Sequence, residues 1–191
     1  INKAQNLDNK DKRLATDLVY GVLRLRAQLD KAILKAGNTN RSKAIRRFKD
    51  LEPKLHDILR LAAYQIIFLD RVPDHAAVTE AVEQAKFRRG KKGAGQCNAI
   101  LRQLVDCPAQ SRLITAPELD RDPIGHVALA GSVSRAIAEI WVEDLGPKTA
   151  IQLAVASLCR APLVLRTNLL ATSREDLIKE TRGEAGAHPL A

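Results

Sequence analysis

The sequence predicts a mainly α protein: a helical bundle, then a linker, then the start of a small α/β subdomain. Two observations predict the bundle. Apolar residues recur at three- and four-residue steps through the first 106 residues, and no segment there alternates as a half-buried strand does. A third observation predicts the subdomain, because a short continuous apolar run interrupts the helical pattern late in the chain. The predicted boundaries are 1–106 for the bundle, 107–131 for the linker and 132–191 for the subdomain.

The first predicted helix begins after Asp8, whose carboxylate can cap its free N–H groups. The apolar positions that follow fit one long amphipathic helix or two in line: Leu14, Leu18, Val22, Leu25, Leu29 and Ile33. Residues 37–40 (GNTN) end the pattern, because Gly and Asn tolerate left-handed backbone. The basic segment after them is predicted to be a short connection or helix.

Three further helices complete the predicted bundle. Pro53 suits the first turn of a strongly apolar helix, which we place at the centre of the core. Asp74 can cap the next helix. The glycines from Gly90 to Gly95 predict a basic loop, and a last helix ends near Asp106.

After residue 106 the sequence pattern changes twice, first from helical to irregular and then back to helical. Residues 107–131 lack periodicity and hold three of the eight prolines, which predicts an extended linker. Helical patterns then begin after Ser132 and at Pro147. Residues 162–168 (PLVLRTN) predict a strand and residues 172–175 (TSRE) the start of another helix. Helix, strand, helix is typical of the beginning of an α/β unit.

The net charge of +9 belongs entirely to the first part of the chain. Residues 1–106 hold 22 Lys and Arg against 12 Asp and Glu, whereas residues 107–191 hold 9 against 10. Two dense clusters contribute: Arg41, Lys43, Arg46, Arg47 and Lys49, then Lys86, Arg88, Arg89, Lys91 and Lys92. Each phosphate neutralised by such residues releases counterions, so the clusters favour a nucleic acid over a merely solvated basic surface.

The second cluster is the first candidate for RNA contact. The remaining candidates are Arg24, Arg26, Arg102, Arg46, Arg47, Arg166 and Asn168. On the predicted strand Arg166 and Asn168 share a face, where they either contact phosphate or fasten the subdomain to a neighbouring domain. Aromatic residues make up 3% of the chain, which argues against base-stacking platforms and favours recognition by charge and shape.

Several classes of site and location are disfavoured. Three widely spaced cysteines and four scattered histidines give neither a disulfide framework nor metal-ligand spacing. No Gly-rich loop follows a strand, so we expect this chain to bind no nucleotide cofactor and to supply no catalytic residue. No apolar run approaches the ~20 residues of a membrane span, and no secretory signal opens the chain. We expect a cytoplasmic protein.

Three segments carry a resemblance to a known family: residues 57–65 (DILRLAAYQ), 72–86 (VPDHAAVTEAVEQAK) and 98–102 (NAILR). In this order they resemble the NusB-like helical domain. That domain occurs in free transcription antitermination factors and at the N-terminus of Sun/Fmu-type RNA cytosine-5 methyltransferases. Two features favour the methyltransferases. Residues 15–24 (ATDLVYGVLR) look like their version of the early helix, and the continuation through residues 137–146 and 163–177 is similar to the subdomain that precedes their catalytic domain.

The resemblance implies the N-terminal portion of an S-adenosylmethionine-dependent methyltransferase of small-subunit ribosomal RNA. Its partners would be that RNA and its own Rossmann-like catalytic domain, which holds the cofactor and lies outside this chain. The chain would position RNA and would not itself catalyse. The alternative is a non-enzymatic NusB-like antitermination factor that binds RNA and protein. A DNA-binding helical module ranks last, because no helix has a row of base-reading side chains.

Overall fold

The structure is a computed structural model that describes residues 8–36, 51–113, 115–159 and 164–184. The chain forms two compact units, Ile1–Leu158 and Cys159–Ala191. All regular secondary structure in the described ranges is helical, which confirms the mainly α prediction. No helix in these ranges combines the length and the apolar character that crossing a membrane requires.

The described helices are numbered in chain order. In the first unit they are α1 (Asn9–Arg24), α2 (Arg26–Ala36), α3 (Pro53–Phe68), α4 (Asp74–Asp106), α5 (Ala109–Arg112), α6 (Pro123–Ala130), α7 (Arg135–Leu145) and α8 (Pro147–Ser157). The second unit contains α9 (Arg174–Thr181). The first helical stretch is two helices in line, separated at Leu25, which was one of the two predicted forms.

The larger hydrophobic core lies among α1 to α4. Its largest fully buried side chains are Leu29, Ile33, Leu55, Leu59, Leu101 and Leu104. Each such side chain contributes about 1.5–3 kcal/mol by leaving water. In α1, Gly21 lets the helix come close to α3, because a Cβ there would collide with the ring of Tyr64. All buried residues of this core lie between Leu29 and Leu104, within the segment predicted to be the bundle.

Two arginines hold the helices of this core in place. Arg60 is 7% exposed and forms ion pairs with Asp30 (2.6 Å) and Asp57 (3.0 Å), which raise the pKa of its guanidinium, chiefly through the hydrogen bond to Asp30. Arg112 donates to the carbonyl of Ile66 at 3.0 Å and to the carboxylate of Asp74 at 2.8 Å. Asp74 is therefore the first residue of α4 and an ion-pair partner rather than the predicted cap.

A second, smaller core joins α6, α7 and α8 around four buried residues: Val127, Ala138, Ala150 and Ala154. Residues 107–131 were predicted to be extended, yet they include α5 and α6. Two residues explain why α6 forms. Pro123 occupies its first turn, and the carboxylate of Asp122 accepts from the N–H of Gly125 at 2.8 Å. A proline and a cap thus begin a helix here.

Hydrogen bonds connect the two cores through the start of α2. The hydroxyl of Ser132 accepts from the backbone N–H of Ala27 at 2.9 Å, and so caps α2 from 105 positions along the chain. The amide of Gln28 donates to the carbonyl of Ala130 at 3.0 Å. Ser132 has a φ of 51°, a left-handed conformation that serine seldom adopts. The cap at α2 therefore depends on how the later chain is folded.

The second unit corrects one prediction. Residues 162–168 were predicted to form a strand, but the described part, 164–168, contains no strand. Its end turns instead: the Asn168 carbonyl accepts from the N–H of Ala171 at 2.9 Å. A short apolar run becomes a strand only when a neighbouring strand supplies hydrogen bonds, and none exists in the described ranges. The predicted start of the following helix is confirmed, because Ser173 caps α9 by accepting from Asp176 N–H.

Candidate nucleic-acid interface

The candidate interface lies at a break inside α4. Arg89 (φ −132°, ψ 15°) and Gly90 (φ 62°, ψ −156°) leave the helical conformation, and the helix resumes at Lys91. The predicted loop over Gly90–Gly95 is therefore wrong in extent, since the interruption is limited to two residues. Gly90 makes it possible, because residues with a side chain seldom adopt a positive φ.

A second glycine fixes the geometry of the break. Gly93 is buried, and a Cβ at this position would lie 2.6 Å from the Cβ of Arg89 and 2.9 Å from the carbonyl oxygen of Ala85. The backbone after the break consequently approaches the last turn before it. Only glycine allows this approach without displacing backbone, so the bend is built into the sequence at two positions.

Five cations surround this break on exposed positions, and we call residues 86–92 the basic bend: Lys86, Arg88, Arg89, Lys91 and Lys92. Lys86 lies 3.5 Å from Glu83 and Arg89 lies 3.7 Å from Glu52, both at partly exposed positions. Arg88, Lys91 and Lys92 form no ion pair with any residue that the structure describes. The basic bend thus concentrates positive charge that the described protein leaves largely uncompensated.

An exposed aromatic ring lies within the same segment. Phe87 is 86% exposed, and the guanidinium carbon of Arg88 lies 5.9 Å from the centre of its ring, within cation–π range. Sequence reasoning missed Phe87 because the low aromatic content was taken over the whole chain. A local signal existed: Ala77, Ala81 and Ala85 mark the buried side of α4, and Phe87 is turned about 200° from Ala85.

The other candidates of the first unit lie elsewhere. Arg102 lines a groove of about 400 Å³ together with His75 and the carboxylate residues Glu83 and Asp106. Its Nε donates to the Asn98 side chain at 3.1 Å. These carboxylates offset the charge of Arg102, so the groove attracts a polyanion less than the basic bend does.

Six further candidates were predicted from the sequence. Arg24 is half-buried at the end of α1, and Arg26 is exposed at the start of α2. Arg46 and Arg47 lie outside the described residues, as does the rest of the first basic cluster. Arg166 is exposed in the second unit.

The remaining candidate, Asn168, is also exposed in the second unit, where its side-chain oxygen accepts from the N–H of Leu170 at 3.2 Å. That hydrogen bond belongs to a turn. Without a strand, the shared face predicted for Arg166 and Asn168 is absent from the described structure. Among the candidates that lie in the described ranges, the structure brings together the five cations of the basic bend.

Nucleophile and metal chemistry find little support in the part of the chain that the structure describes. Cys97 is fully buried in the larger core, and burial raises the pKa of its thiol to about 12, so the reactive thiolate does not form near neutral pH. Across residues 8–36, 51–113, 115–159 and 164–184, no three His, Cys, Asp or Glu side chains lie close enough to hold a metal ion.

Comparison with known proteins identifies the family of the first part. The profile of the NusB family matches residues 1–106, more than half of the chain. The chain belongs to the NusB family. This confirms the resemblance drawn from the sequence, and it places the larger core and the basic bend within the NusB-family segment.

Curated relatives match beyond that segment. A putative methyltransferase of Mycobacterium tuberculosis is 32% identical over 189 residues, 96% of this chain and 39% of the relative. A probable ribosomal RNA small subunit methyltransferase B of Bacillus subtilis is 28% identical over 184 residues, 96% of this chain and 38% of the relative. Ribosomal RNA small subunit methyltransferase B of Klebsiella pneumoniae is 28% identical over 188 residues, which are 97% of this chain and 39% of the relative. This NusB-family chain thus spans about two fifths of these relatives. No solved structure matches it.

Proposed function

We propose that this chain is the RNA-binding N-terminal part of a methyltransferase that acts on small-subunit ribosomal RNA. One observation carries the proposal: relatives named for that activity match along 184 and 188 residues and so continue well past residue 106, where the NusB-family match ends. A NusB-like antitermination factor requires only the first segment. The uncompensated charge of the basic bend supports the RNA-binding role.

In this proposal residues 1–106 form the RNA-binding domain, and residues 107–131 connect it to residues 132–191. The parent protein, which we expect in the cytoplasm, transfers a methyl group from S-adenosylmethionine to C5 of cytosine. The described residues do not fit the cofactor, since they include no strand followed by a Gly-rich loop. We propose that the cofactor and the cysteine nucleophile belong to a catalytic domain outside this chain, as the greater length of the relatives supports, and that this chain holds the RNA in position.

Salt dependence tests the RNA-binding role. Replacing Arg88, Arg89, Lys91 and Lys92 with Ala should weaken binding to a small-subunit ribosomal RNA fragment and flatten the plot of log K against log salt. The slope should decrease in magnitude by about 0.7–0.9 for each phosphate that the variant no longer neutralises. Titrations followed by fluorescence anisotropy at several salt concentrations measure both quantities.

A matched control removes the same charge from other exposed positions. The control variant replaces four cations of the later chain with Ala: Arg121, Arg135, Lys148 and Lys179. Its affinity should decrease only slightly and its slope should stay close to that of the unmodified chain. Equal slopes for the two variants would show that the basic bend makes no specific phosphate contacts.

Methyl transfer is tested on the natural gene product and on this chain side by side. With labelled S-adenosylmethionine and unmodified small-subunit RNA, the gene product should form 5-methylcytidine, as measured by nucleoside analysis, and the 191-residue chain alone should form none. A gene product close to 21.0 kDa would leave no room for a catalytic domain and would favour the antitermination factor.

A further inference from the structure

The ring of Phe87 is the feature of the basic bend that electrostatics does not explain. An 86% exposed phenyl ring forgoes the burial free energy that stabilises a core, and it adds nothing to phosphate contacts. It lies on the solvent side of α4 and outside the larger hydrophobic core. Its exposure therefore has no basis in the packing of the described residues.

The charged residues around the ring determine which kind of partner can bind over it. Lys86 and Arg88 flank it in sequence, and Lys91 and Lys92 follow after the break. An apolar protein surface laid on the ring would remove water from these cations without giving them counter-ions, which is costly. A single-stranded nucleic acid offers a flat apolar base for the ring and phosphates for the cations.

We propose that Phe87 is a stacking platform for one unpaired RNA base, with Arg88, Lys91 and Lys92 holding the adjacent phosphates. Arg88 already lies 5.9 Å from the centre of the ring and so provides cation–π support for the stack. Space is available over the ring, because Phe87 is 86% exposed. The inference rests on the proposed RNA-binding role and deepens it, since it specifies single-stranded RNA over duplex.

The base must be unpaired for a geometric reason. In a duplex both faces of each internal base are covered by its neighbours, so a lone ring on a helix surface has no free face to contact. A loop, a bulge or a single-stranded overhang presents such a face along its unpaired bases. The basic bend should therefore distinguish single-stranded from double-stranded RNA through Phe87, while its cations act on both.

The test compares substitutions of Phe87 on two RNA probes, an oligoadenylate dodecamer and a blunt RNA duplex of the same length, with the full chain. Phe87→Ala should weaken binding to the single strand by about 5- to 150-fold, which is the worth of one base stack, and leave its salt slope unchanged. Binding to the duplex should stay the same. Phe87→Tyr keeps an aromatic face and should retain the affinity.

Phe87→Leu separates stacking from apolar contact, because leucine keeps apolar surface without an aromatic face. Phe87→Leu should therefore lose affinity for the single strand to the same extent as Phe87→Ala. The stacking proposal would be wrong if Phe87→Ala or Phe87→Leu bound the single strand with the affinity of the unmodified chain. The RNA contact through the cations would not be affected by that result. Loss of duplex binding to the same extent would overturn the stacking proposal too. If the unmodified chain binds neither probe, the proposed RNA-binding role itself fails. An unchanged melting temperature confirms that each variant is folded.

Discussion

The two cores of the first unit differ in the size of the side chains that they bury. In the described ranges, the core among α1 to α4 buries six leucines and three isoleucines besides its alanines, among them Leu59 and Ile33, whereas the buried residues of the core among α6 to α8 are Val127 and three alanines. In the first, large side chains fill the space between helices. In the second, small residues let the backbones come close, and a Cβ on Gly131 would lie only 2.5 Å from the Cβ of Ala154.

This difference implies opposite sensitivities. A core filled by large side chains loses stability when atoms are removed, because a cavity remains. A core closed by small residues loses stability when atoms are added, because helices must move apart. The NusB-family match covers the larger core and ends before the smaller one. The later residues therefore add helices that pack through small side chains instead of large ones.

Removing atoms from the larger core should have the largest effect. Leu59 is 0% exposed, so Leu59→Ala should lower the free energy of unfolding by about 2–5 kcal/mol. Urea unfolding followed by circular dichroism measures the change. Leu23→Ala is the matched control, because Leu23 is 62% exposed in α1, and its effect should stay within about 0.5 kcal/mol. Similar losses for both variants would contradict the assignment of Leu59 to a tightly filled core.

Adding one methyl group to the smaller core should have the next largest effect. Gly131→Ala should cost about 1–3 kcal/mol, because the new Cβ would meet Ala154, including its Cα at 3.0 Å. The control is Gly95→Ala on α4, where nothing lies within 4 Å of the added Cβ. That change should stabilise the protein by up to about 1 kcal/mol, since alanine favours a helix. A neutral Gly131→Ala in urea unfolding would mean that the smaller core is loosely packed.

Local signals in the sequence predicted some features of both regions, and the structure shows why. Helices were predicted to begin at Asp8 and within residues 172–175, and in the structure Asp8 and Ser173 each accept from the backbone N–H three residues later. The apolar periodicity gave the helices of the larger core. These features depend on neighbours within a few residues, which a sequence displays directly.

Features that depend on distant neighbours were misread. Pro123 was assigned to an extended linker, although it begins a helix that is held in the smaller core. Residues 162–168 were assigned to a strand without a known partner. The break in α4 was predicted to be longer than it is, because its length depends on the close approach of Gly93 to Ala85. At the candidate site, charge was visible in the sequence, whereas the exposure of Phe87 required the orientation of the helix.

The hydrogen bond that connects the two cores should have an intermediate effect. Ser132→Ala removes the acceptor for Ala27 N–H and should cost about 1 kcal/mol, as the loss of a helix cap does. Ser134→Ala is the control: its hydroxyl caps α7 locally, accepting from Ile137 N–H at 3.3 Å. Both should lower stability, but only Ser132→Ala should speed hydrogen exchange at the start of α2. Unchanged exchange of Ala27 would show that water replaces the cap.

The buried thiol of the larger core should give no effect near neutral pH and an effect that grows with pH above 9. In the folded chain the pKa of Cys97 is raised to about 12, from 9.0 for a free thiol, because burial disfavours the thiolate. Below pH 9 the thiol is neutral in both states, so its contribution is fully present. As the pH rises from 9 towards 12, the unfolded chain ionises first and stability is lost, by at most about 1.4 kcal/mol per pH unit.

Cys97→Ala isolates this contribution from the titration of lysines, which both proteins share. Urea unfolding at a series of pH values should show the unmodified chain losing stability faster than the variant above pH 9, with parallel curves below it. Parallel curves up to pH 12 would mean that water reaches the thiol in the folded chain. The larger core would then be less tightly closed around Cys97 than its 0% exposure indicates, and its contrast with the smaller core would be weaker.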